Sequence, residues 1–407
     1  MHPPRVVIVG GGAAGTFAAI TAAERGAVVT VLEKTGRLLD KVRISGGGRC
    51  NVTHACFDPR EFATRYPRGG PALLGPFHQF SARETVAWFA ARGVVLKTEA
   101  DGRMFPVNES AQTIVDCLLS AAGAAGVVFR PHCGVETAGK TADGRFKLTL
   151  SNGETLFGDR LLLATGGCRA TVAGQLAVGL GHTLVPPVPS LFTLQIAAPW
   201  LHSLAGVSAG VELSAPVARL RERGALLVTH WGLSGPAVLK MSAWGARALH
   251  DLNYQFALSV NWLPDRNAEQ ILREFQARRQ SAGAKLVVNV PLAPLTSRLW
   301  EQLVLAAGLA REARWSGLAR PQAQALAQQL LRTEFSVGGK SLNRDEFVTC
   351  GGVKLGEVNF KTMASKVCPG LFLAGELLDI DGLTGGFNFQ AAWTTGFIAG
   401  EAMATVP

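Results

Sequence analysis

The stretch Arg5-Val-Val-Ile-Val-Gly-Gly-Gly-Ala-Ala-Gly15 decides the fold that we expect for this chain. It starts as a short β-branched run and passes into a Gly-x-Gly-x-x-Gly motif, after which an apolar, alanine-rich segment continues to about Arg25. A second β-branched run follows from Val28 to Leu32. A strand, a glycine turn, a helix and a second strand in this order predict the first βαβ unit of a dinucleotide-binding fold.

The three glycines of the motif have separate physical roles. Gly10 permits the tight turn, Gly12 has no Cβ to block an approaching pyrophosphate, and Gly15 lets the helix lie close to the strand. The free N–H groups at the start of that helix then hold a diphosphate. Glu33 lies 18 residues beyond Gly15, where a carboxylate accepts the hydroxyls of an adenosine ribose. Two neighbours complete the predicted cradle, Ala14 and Lys34.

Composition limits the possible classes of protein. The chain has 407 residues, of which 48% are hydrophobic, so we expect one to three domains with a large core. The first apolar stretch is interrupted by glycines, which argues against a secretory signal, and no other stretch reaches a membrane-spanning length. Seven cysteines without a C-x-x-C pair predict neither a disulfide scaffold nor a metal site. We therefore expect a cytoplasmic enzyme with no membrane anchor and no metal.

Residues 1–189 contain further signals of a Rossmann-like α/β domain. Alternating hydrophobicity from Gly134 to Phe157, with Asp-Gly and Asn-Gly turns, predicts a three-stranded antiparallel meander. A buried strand then ends in Ala164-Thr-Gly-Gly167. Helices are predicted at 81–92 and 110–125, and the glycine-rich segment 36–51 is predicted to be a loop.

The composition changes near Pro186, and residues 190–345 are predicted to form an inserted domain that is part β and part helical. Strands are expected at 225–230, 254–260 and 285–290, and helices at 235–250, 267–280, 295–306 and 321–331. Residues 346–407 then return to the first pattern and form the second part of the cofactor domain. The run Gly370–Gly375 is expected to join the same parallel sheet, because such a strand must bury both faces.

The net charge of +10 favours an anionic partner, although an ordinary solvated surface carries such a charge equally well. Much of the excess falls in residues 190–345, which hold 17 Lys and Arg against 10 Asp and Glu. Arg219, Arg221 and Arg223 alternate there along a predicted strand edge, which places them on one side of it. A basic loop from Arg37 to Arg68 adds to the charge, so RNA is a possible partner.

Five motifs resemble the bacterial HI0933-type flavoproteins, also called the BaiN-like family. They are Ile44-Ser-Gly-Gly-Gly-Arg-Cys-Asn-Val-Thr53, Gly102-Arg-Met-Phe-Pro106, Thr229-His-Trp-Gly-Leu-Ser-Gly-Pro236, Thr349-Cys-Gly-Gly-Val353 and Leu373-Ala-Gly-Glu-Leu-Leu-Asp-Ile-Asp-Gly382. The resemblance covers almost the whole chain. It implies the two-dinucleotide-binding fold, tightly held FAD, and an inserted domain that is part β-barrel-like and part helical. It also implies reduction of conjugated C=C bonds, with activities attributed to members on steroid-like enones and on a uridine of ribosomal RNA.

The resemblance also implies cofactor contacts outside the first cradle. The late strand ending in Gly375-Glu376 is expected to reach the ribityl chain and the phosphate. The other residues expected at the cofactor are Gly48, Arg49, Val135, Thr165, Gly166, Asp381, Gly386, Phe387 and Asn388.

Five residues are candidates for the chemistry, and four of them have a structural alternative. Arg49, Asn51 and Asn388 are possible donors to a carbonyl oxygen of the substrate, as are backbone N–H groups around Gly385. Arg49 and Asn51 equally well pin the flavin loop. Cys50 either protonates the substrate or is a small residue in a tight turn. His230 is either a general acid or a histidine satisfied inside a domain junction.

Three functions remain open on this basis. The first is NAD(P)H-driven reduction of a conjugated C=C bond in a small molecule, with NAD(P)H docking transiently because no second Gly-x-Gly-x-x-Gly follows a strand. This function predicts an apolar pocket over the flavin ring, walled by the insertion. The second is the same chemistry on a uridine of ribosomal RNA, which predicts a basic surface continuous with the flavin. The third is a non-catalytic redox sensor or RNA-binding module.

Overall fold

The computed structural model describes residues 2–168, 171–341 and 348–405, with the side chains of residues 171–173 excepted. Its contacts cluster into two compact units, one of Met1–Pro189 with Val348–Pro407 and the other of Ser190–Phe347. The predicted boundary between residues 345 and 346 lies outside the described residues. The predicted fold class is confirmed, because the first unit is a Rossmann-like domain and the second holds a β-barrel with helices.

A seven-stranded, mostly parallel sheet forms the centre of the first unit, in the order β19-β20-β21-β10-β1-β2-β6. The strands are β1 (Arg5–Val9), β2 (Val28–Leu32), β6 (Val128–Arg130), β10 (Arg160–Leu163), β19 (Val358–Asn359), β20 (Ala364–Ser365) and β21 (Leu371–Leu373). β1 pairs in parallel with β2 and β10, and β10 pairs in parallel with β21. The late glycine-bounded run therefore returns to the first sheet, as its burial requires.

Smaller sheets and further helices complete the part of the first unit that the structure describes. The remaining strands are β3 (Thr53–His54), β4 (Leu96–Thr98), β5 (Arg103–Pro106), β7 (Val135–Lys140), β8 (Phe146–Leu150), β9 (Thr155–Gly158), β11 (Leu184–Ser190) and β18 (Val348–Val353). The helices are α1 (Ala13–Glu24), α2 (Asp40–Gly48), α3 (Pro59–Ala63), α4 (Gly70–Gln79), α5 (Ala82–Ala90), α6 (Ala111–Ala124), α7 (Thr171–Gly179) and α14 (Phe387–Ala404). β7, β8 and β9 form the predicted antiparallel meander.

Helices α1 and α14 pack through small residues, which brings their backbones close together. A Cβ added to Gly396 of α14 would lie 2.5 Å from the carbonyl oxygen of Ala14, and one added to Gly400 would lie 2.6 Å from Cβ of Thr21. Both helices are buried along most of their length, which explains why neither has an amphipathic pattern.

The second unit contains a closed six-stranded barrel in the order β12-β15-β14-β13-β16-β17. Its strands are β12 (Leu194–Ile196), β13 (Ser208–Ala215), β14 (Leu220–Thr229), β15 (Gly232–Ser234), β16 (Phe256–Asn261) and β17 (Thr333–Lys340). Its helices are α8 (Pro199–His202), α9 (Pro236–Trp244), α10 (Ala246–Asp251), α11 (Ala268–Ser281), α12 (Ser297–Ala306) and α13 (Arg320–Leu331). Alternate residues of each long strand face the core, as in other small barrels.

Three local expectations were wrong. The run 285–290 contains a 3-10 turn, Val287–Asn289, because Trp300 packs there and its Nε1 donates to the carbonyl oxygen of Val287 at 2.7 Å. The expected loop 36–51 contains helix α2, although Gly46 and Gly47 inside it have left-handed backbone angles. Arg219, expected on one strand with Arg221 and Arg223, precedes β14 and has a left-handed φ of 54°.

No helix in the part of the chain that the structure describes is long and apolar enough to cross a membrane. No group of three or more His, Cys, Asp and Glu side chains in the same part of the chain could hold a metal ion. No disulfide joins any of the seven cysteines, all of which lie within the described residues, and five of the seven are buried.

The contact between α1 and α14 can be tested with one glycine substitution. We expect Gly400→Ala to destabilise the protein by about 1–3 kcal/mol, because the new Cβ would overlap Thr21 and the carbonyl oxygen of Ala18. The matched control is Gly123→Ala in α6, where a Cβ meets no atom within 4 Å and the helix gains propensity. Thermal unfolding should show a lower midpoint for the first variant and an equal or higher midpoint for the second. Equal midpoints for the two variants would contradict this packing.

Candidate functional site

The turn between β1 and α1 has the geometry that its three glycines predict. Gly10 has a φ of 111°, and a Cβ there would lie 2.3 Å from the carbonyl oxygen of Ala164. A Cβ on Gly15 would lie 1.9 Å from the carbonyl oxygen of Gly10. A Cβ on Gly12 would meet no atom within 4 Å, so this glycine borders open space. Gly12 is also the N-cap of α1 and provides no side-chain cap, which leaves the first N–H groups of the helix available to an anion.

Glu33 lies beside this turn and holds it. One carboxylate oxygen accepts from the N–H of Gly11 at 2.9 Å, and the other accepts from the N–H of Thr35 at 2.9 Å. The segment that leads into β7 contacts Glu33 as well, because the N–H of Cys133 donates to the carbonyl oxygen of Glu33 at 2.8 Å. The exposed Lys34 and the buried Val135, first residue of β7, therefore lie near the predicted ribose acceptor.

The carboxyl ends of β10 and β21 bring together several of the predicted cofactor residues. Thr165 follows β10, and its Oγ1 is buried and has no hydrogen-bond partner among the described residues. Gly166 has a φ of 76° and borders open space. After β21, a Cβ on Gly375 would lie 2.9 Å from Cβ of Ala14, which places this turn against the first cradle.

Glu376 joins two segments that are distant in the sequence. One of its oxygens accepts from the N–H of Thr349 at 2.9 Å, and the other forms an ion pair of 2.7 Å with Lys41 of α2. Its carboxylate is mostly buried, with 19% of the side chain exposed, while Lys41 is largely exposed. Neither Lys41 nor Thr349 was predicted at this site, because nothing in their local sequence marks the pairing.

The glycine loop at the end of α2 is held by Arg49 and Cys50. Gly46, Gly47 and Gly48 all have positive φ, and the last two border open space. Arg49 donates to the carbonyl oxygen of Gly46 at 3.3 Å, pairs with Glu99 at 2.7 Å, and stacks over Phe105 at 4.2 Å. Arg49 thus ties the loop to β4 and β5, which agrees with its structural alternative.

Cys50 is fully buried and has a φ of 58°, so it occupies a tight turn. Burial raises the pKa of its thiol to about 12, although a hydrogen bond with Ser45 acts in the opposite direction. A thiol with so high a pKa is a weak acid at neutral pH. These surroundings favour the structural alternative for Cys50.

The amino terminus of α14 lies against β3. A Cβ on Gly386, which has a φ of 90°, would lie 2.5 Å from the backbone of Thr53. With its amide group oriented to meet complementary partners, Asn51 accepts from the N–H of Gly386 at 2.9 Å and donates to the carbonyl oxygen of Thr53 at 3.0 Å. Asn388 accepts from the N–H of Gly382 at 2.8 Å and donates to the carbonyl oxygen of the same residue at 2.9 Å. Both amides therefore hold loops around the helix start.

Asp381 forms a buried ion pair with Arg68. Both carboxylate oxygens accept from the guanidinium group, and the carboxylate is fully buried. The two residues are 313 positions apart, so this pair could not be predicted from local sequence. It fixes the turn before α14 to the segment before α4, and the burial of both partners requires that the charges stay together.

Two aromatic residues near α14 were missed by the sequence analysis. His54, the last residue of β3, stacks on Phe387 with ring centroids 4.8 Å apart. The hydroxyl group of Tyr66 donates to the carbonyl oxygen of Phe387 at 2.6 Å. His54 directly follows the quoted Ile44–Thr53 motif, which was the only available signal. By contrast, His230 is exposed in the turn between β14 and β15 of the second unit.

The residues of the first unit fit a dinucleotide. The uncapped amino terminus of α1 supplies N–H donors for an anion, and the open position at Gly12 supplies space for it. The carboxylate of Glu33 and the Oγ1 of Thr165, which has no partner among the described residues, supply polar groups along the same sheet edge. The N-cap of α14, Gly386, likewise provides no side-chain cap. Ile44, 53% exposed beside the glycine loop, offers an apolar surface to a ring system.

Comparison with known proteins agrees with this geometry. The family described as HI0933-like protein Rossmann domain matches residues 4–402. A 3-dehydro-bile acid delta(4,6)-reductase from Clostridium scindens is 30% identical over 99% of this chain and 100% of that protein. A ribosomal RNA dihydrouridine synthase from Escherichia coli is 31% identical over 97% of this chain and 96% of that protein.

Among solved structures, a 3-ketosteroid-delta4-(5alpha)-dehydrogenase from Rhodococcus jostii has the same fold. Its TM-score is 0.54 at 16% identity, covering 98% of this chain and 96% of that one. The family match spans nearly the whole sequence. The chain therefore belongs to the HI0933-like family and is an FAD-binding Rossmann-fold oxidoreductase.

Proposed function

We propose that this protein takes hydride from NAD(P)H onto FAD and adds hydrogen to a conjugated C=C bond of a small, apolar molecule. The observation that carries the proposal is the pair of uncapped helix amino termini in one domain, α1 at Gly12 and α14 at Gly386. The first suits a diphosphate, and the second suits an electron-rich oxygen of a ring system.

The two curated relatives support the reaction class. The name of one denotes reduction at the delta(4,6) position of a 3-dehydro-bile acid, and the name of the other denotes synthesis of dihydrouridine in ribosomal RNA. Both reactions add hydrogen across a C=C bond. A bound flavin supplies the hydride for such a reaction, and the protein must orient the substrate and provide a proton.

Backbone N–H groups are the hydrogen-bond donors that remain to stabilise a negative charge developing on a carbonyl oxygen of the substrate. Arg49 is paired with Glu99, and the amides of Asn51 and Asn388 are bonded to neighbouring loops. The N–H groups of the first turn of α14 have no intrahelical acceptor, and the helix dipole adds a positive potential there. We therefore assign polarisation of a carbonyl oxygen to the amino terminus of α14 rather than to a side chain.

A small substrate is favoured over RNA because many basic side chains already pair with acids of the same domain. In the loop from Arg37 to Arg68, cations pair with glutamate or aspartate at four places, Lys41–Glu376, Arg49–Glu99, Arg65–Glu61 and Arg68–Asp381. In the barrel, Arg221 and Arg223 pair with Glu212 and Asp265. Binding RNA would require these pairs to be exchanged for phosphate contacts.

RNA remains the second candidate substrate. The relative named for ribosomal RNA is as similar to this chain as the relative named for a bile acid, and the net charge is +10. Exposed ion pairs contribute only about 0–1 kcal/mol, so phosphates can compete for their arginines.

The diphosphate cradle is tested by Gly12→Val. We expect the variant to fold but to hold at least about tenfold less FAD, since the branched side chain fills the space left for the pyrophosphate. The control is Gly139→Val in β7, which also places a branched side chain where no atom lies within 4 Å. Flavin released from the purified proteins should be FAD rather than FMN. A Gly12→Val protein with full flavin content would show that the cradle is assigned to the wrong place.

The reaction class is tested by anaerobic reduction of the purified flavoprotein. We expect NADH or NADPH to bleach the flavin absorbance and a steroid-like enone to restore it without oxygen, because a bound flavin would supply hydride transfer between the nicotinamide and the C=C bond. A saturated ketone of the same skeleton is the matched control and should not restore the absorbance. Failure of both nicotinamides would favour the non-catalytic alternative, and reoxidation by unmodified ribosomal RNA alone would favour the second substrate.

The RNA alternative predicts that arginines of the barrel bind phosphate groups. Under the small-molecule proposal we instead expect that replacing Arg219, Arg221 and Arg223 together by Ser leaves RNA affinity and its salt dependence unchanged, because two of these side chains are engaged by acids. Binding is measured at two salt concentrations, with Arg273→Ser in α11 as control. Loss of affinity with a slope reduced by about one unit per lost phosphate contact would support RNA instead.

A further inference from the structure

His54 has one satisfied and one unsatisfied ring nitrogen. Its Nε2 lies 3.1 Å from the carbonyl oxygen of Asp101, and because a carbonyl only accepts, Nε2 carries the hydrogen. Nδ1 therefore has a free lone pair in the neutral ring. This atom is buried and has no hydrogen-bond partner among the described residues. Leaving a buried polar atom unpaired costs about 1–3 kcal/mol, so its presence calls for an explanation.

The ring is fixed in place by its neighbours. It stacks on Phe387, the first residue of α14, and a Cβ on Gly385 would lie 3.6 Å from its Cδ2. A Cβ on Gly102 would lie 2.4 Å from its Cε1, so the turn between β4 and β5 closes the other side. Asn51, three residues earlier, is bonded to the N–H of Gly386. His54 is thus part of the wall around the helix terminus to which the proposed function assigns polarisation of a carbonyl oxygen.

The charges around His54 keep it neutral while the site carries no extra negative charge. Burial lowers the pKa of His54 below its usual value of 6.5, and Arg65 acts in the same direction. The backbone carbonyl and the carboxylate of Asp101 oppose this shift, as does Glu61. The positive end of α14 also disfavours a cation there. A negative charge added near the ring would reverse this balance.

We propose that His54 binds a proton at Nδ1 when the FAD has accepted a hydride, and gives that proton up when the hydride passes to the substrate. This inference rests on the proposed function. A hydride brings two electrons and one hydrogen nucleus, so the site gains one negative charge, which a proton from water at Nδ1 balances. Reduction of the substrate breaks one C=C π bond and forms two C–H bonds, using the hydride and one proton.

The other candidate proton carriers are less suitable. The Cys50 thiol has a pKa of about 12 and is fully buried. The guanidinium group of Arg49 is paired with Glu99 and does not release a proton in proteins. The amides of Asn51 and Asn388 do not titrate. Only His54 combines a titratable group with an unpaired buried nitrogen near this helix end, among the residues that the structure describes.

The test counts the protons taken up per flavin on two-electron reduction, from the dependence of the flavin midpoint potential on pH between about pH 7 and 8. We expect two protons in the wild-type protein and one in both His54→Phe and His54→Asn. The first variant keeps a ring for the stack on Phe387, and the second keeps a polar group that does not titrate. His78→Asn, which removes an exposed histidine of α4, is the matched control and should keep two protons.

Full FAD content with an unchanged proton count in both His54 variants would overturn the inference. If the variants lose FAD, nitrogen NMR of labelled histidine in the wild-type protein measures the protonation state of the His54 ring directly. We expect the His54 ring to be singly protonated with oxidised flavin and doubly protonated with reduced flavin, and an unchanged ring would overturn the inference. A wild-type protein that binds no FAD would instead refute the proposed function, so the two failures are distinguishable.

Discussion

No side chain fits where the turn after β1 meets the end of β10, and the cofactor edge of the domain depends on that constraint. A Cβ on Gly10 would lie 2.3 Å from the carbonyl oxygen of Ala164, and one on Gly15 would lie 1.9 Å from that of Gly10. Because the backbones come so close, α1 starts directly above the carboxyl ends of the parallel strands. Ligands of open parallel sheets bind at this edge, where helix N–H groups and strand ends converge.

The same kind of contact places the second helix. Gly396 and Gly400 bring α14 onto the backbone of α1, and Gly386 brings its first turn onto Thr53. The positions of both helix termini are therefore set by glycine contacts between backbones rather than by side-chain caps. Such contacts tolerate little variation, since any larger residue would force the helices apart. This explains why a glycine pattern so far from the first motif belongs to the same site.

The features that could be predicted from the sequence are those that the backbone determines. The parallel sheet, the meander and α1 follow from periodicity and from glycines with one possible role. The barrel was only partly predictable: β13 and β17 alternate buried and outward residues, a signal that was available, whereas β12 and β15 have three residues each and carry none. Pairings such as Arg68 with Asp381 depend on the tertiary fold alone, so no local pattern marks them.

Several polar side chains of the quoted motifs bond to other groups of the protein. Their burial explains why they need these partners. A buried carboxylate such as Asp381 needs a full countercharge, which neutral ribityl hydroxyls would not provide, and Arg68 supplies it. Arg49 meets Glu99 for a similar reason, and the two asparagine amides bond to backbone. Because these side chains are already bonded within the protein, the groups that remain for a ligand at the amino terminus of α14 are backbone N–H groups and Nδ1 of His54. Under the proposed function, catalysis at this site would depend on fixed dipoles and one titrating ring, and substrate choice would depend on shape rather than on charged side chains.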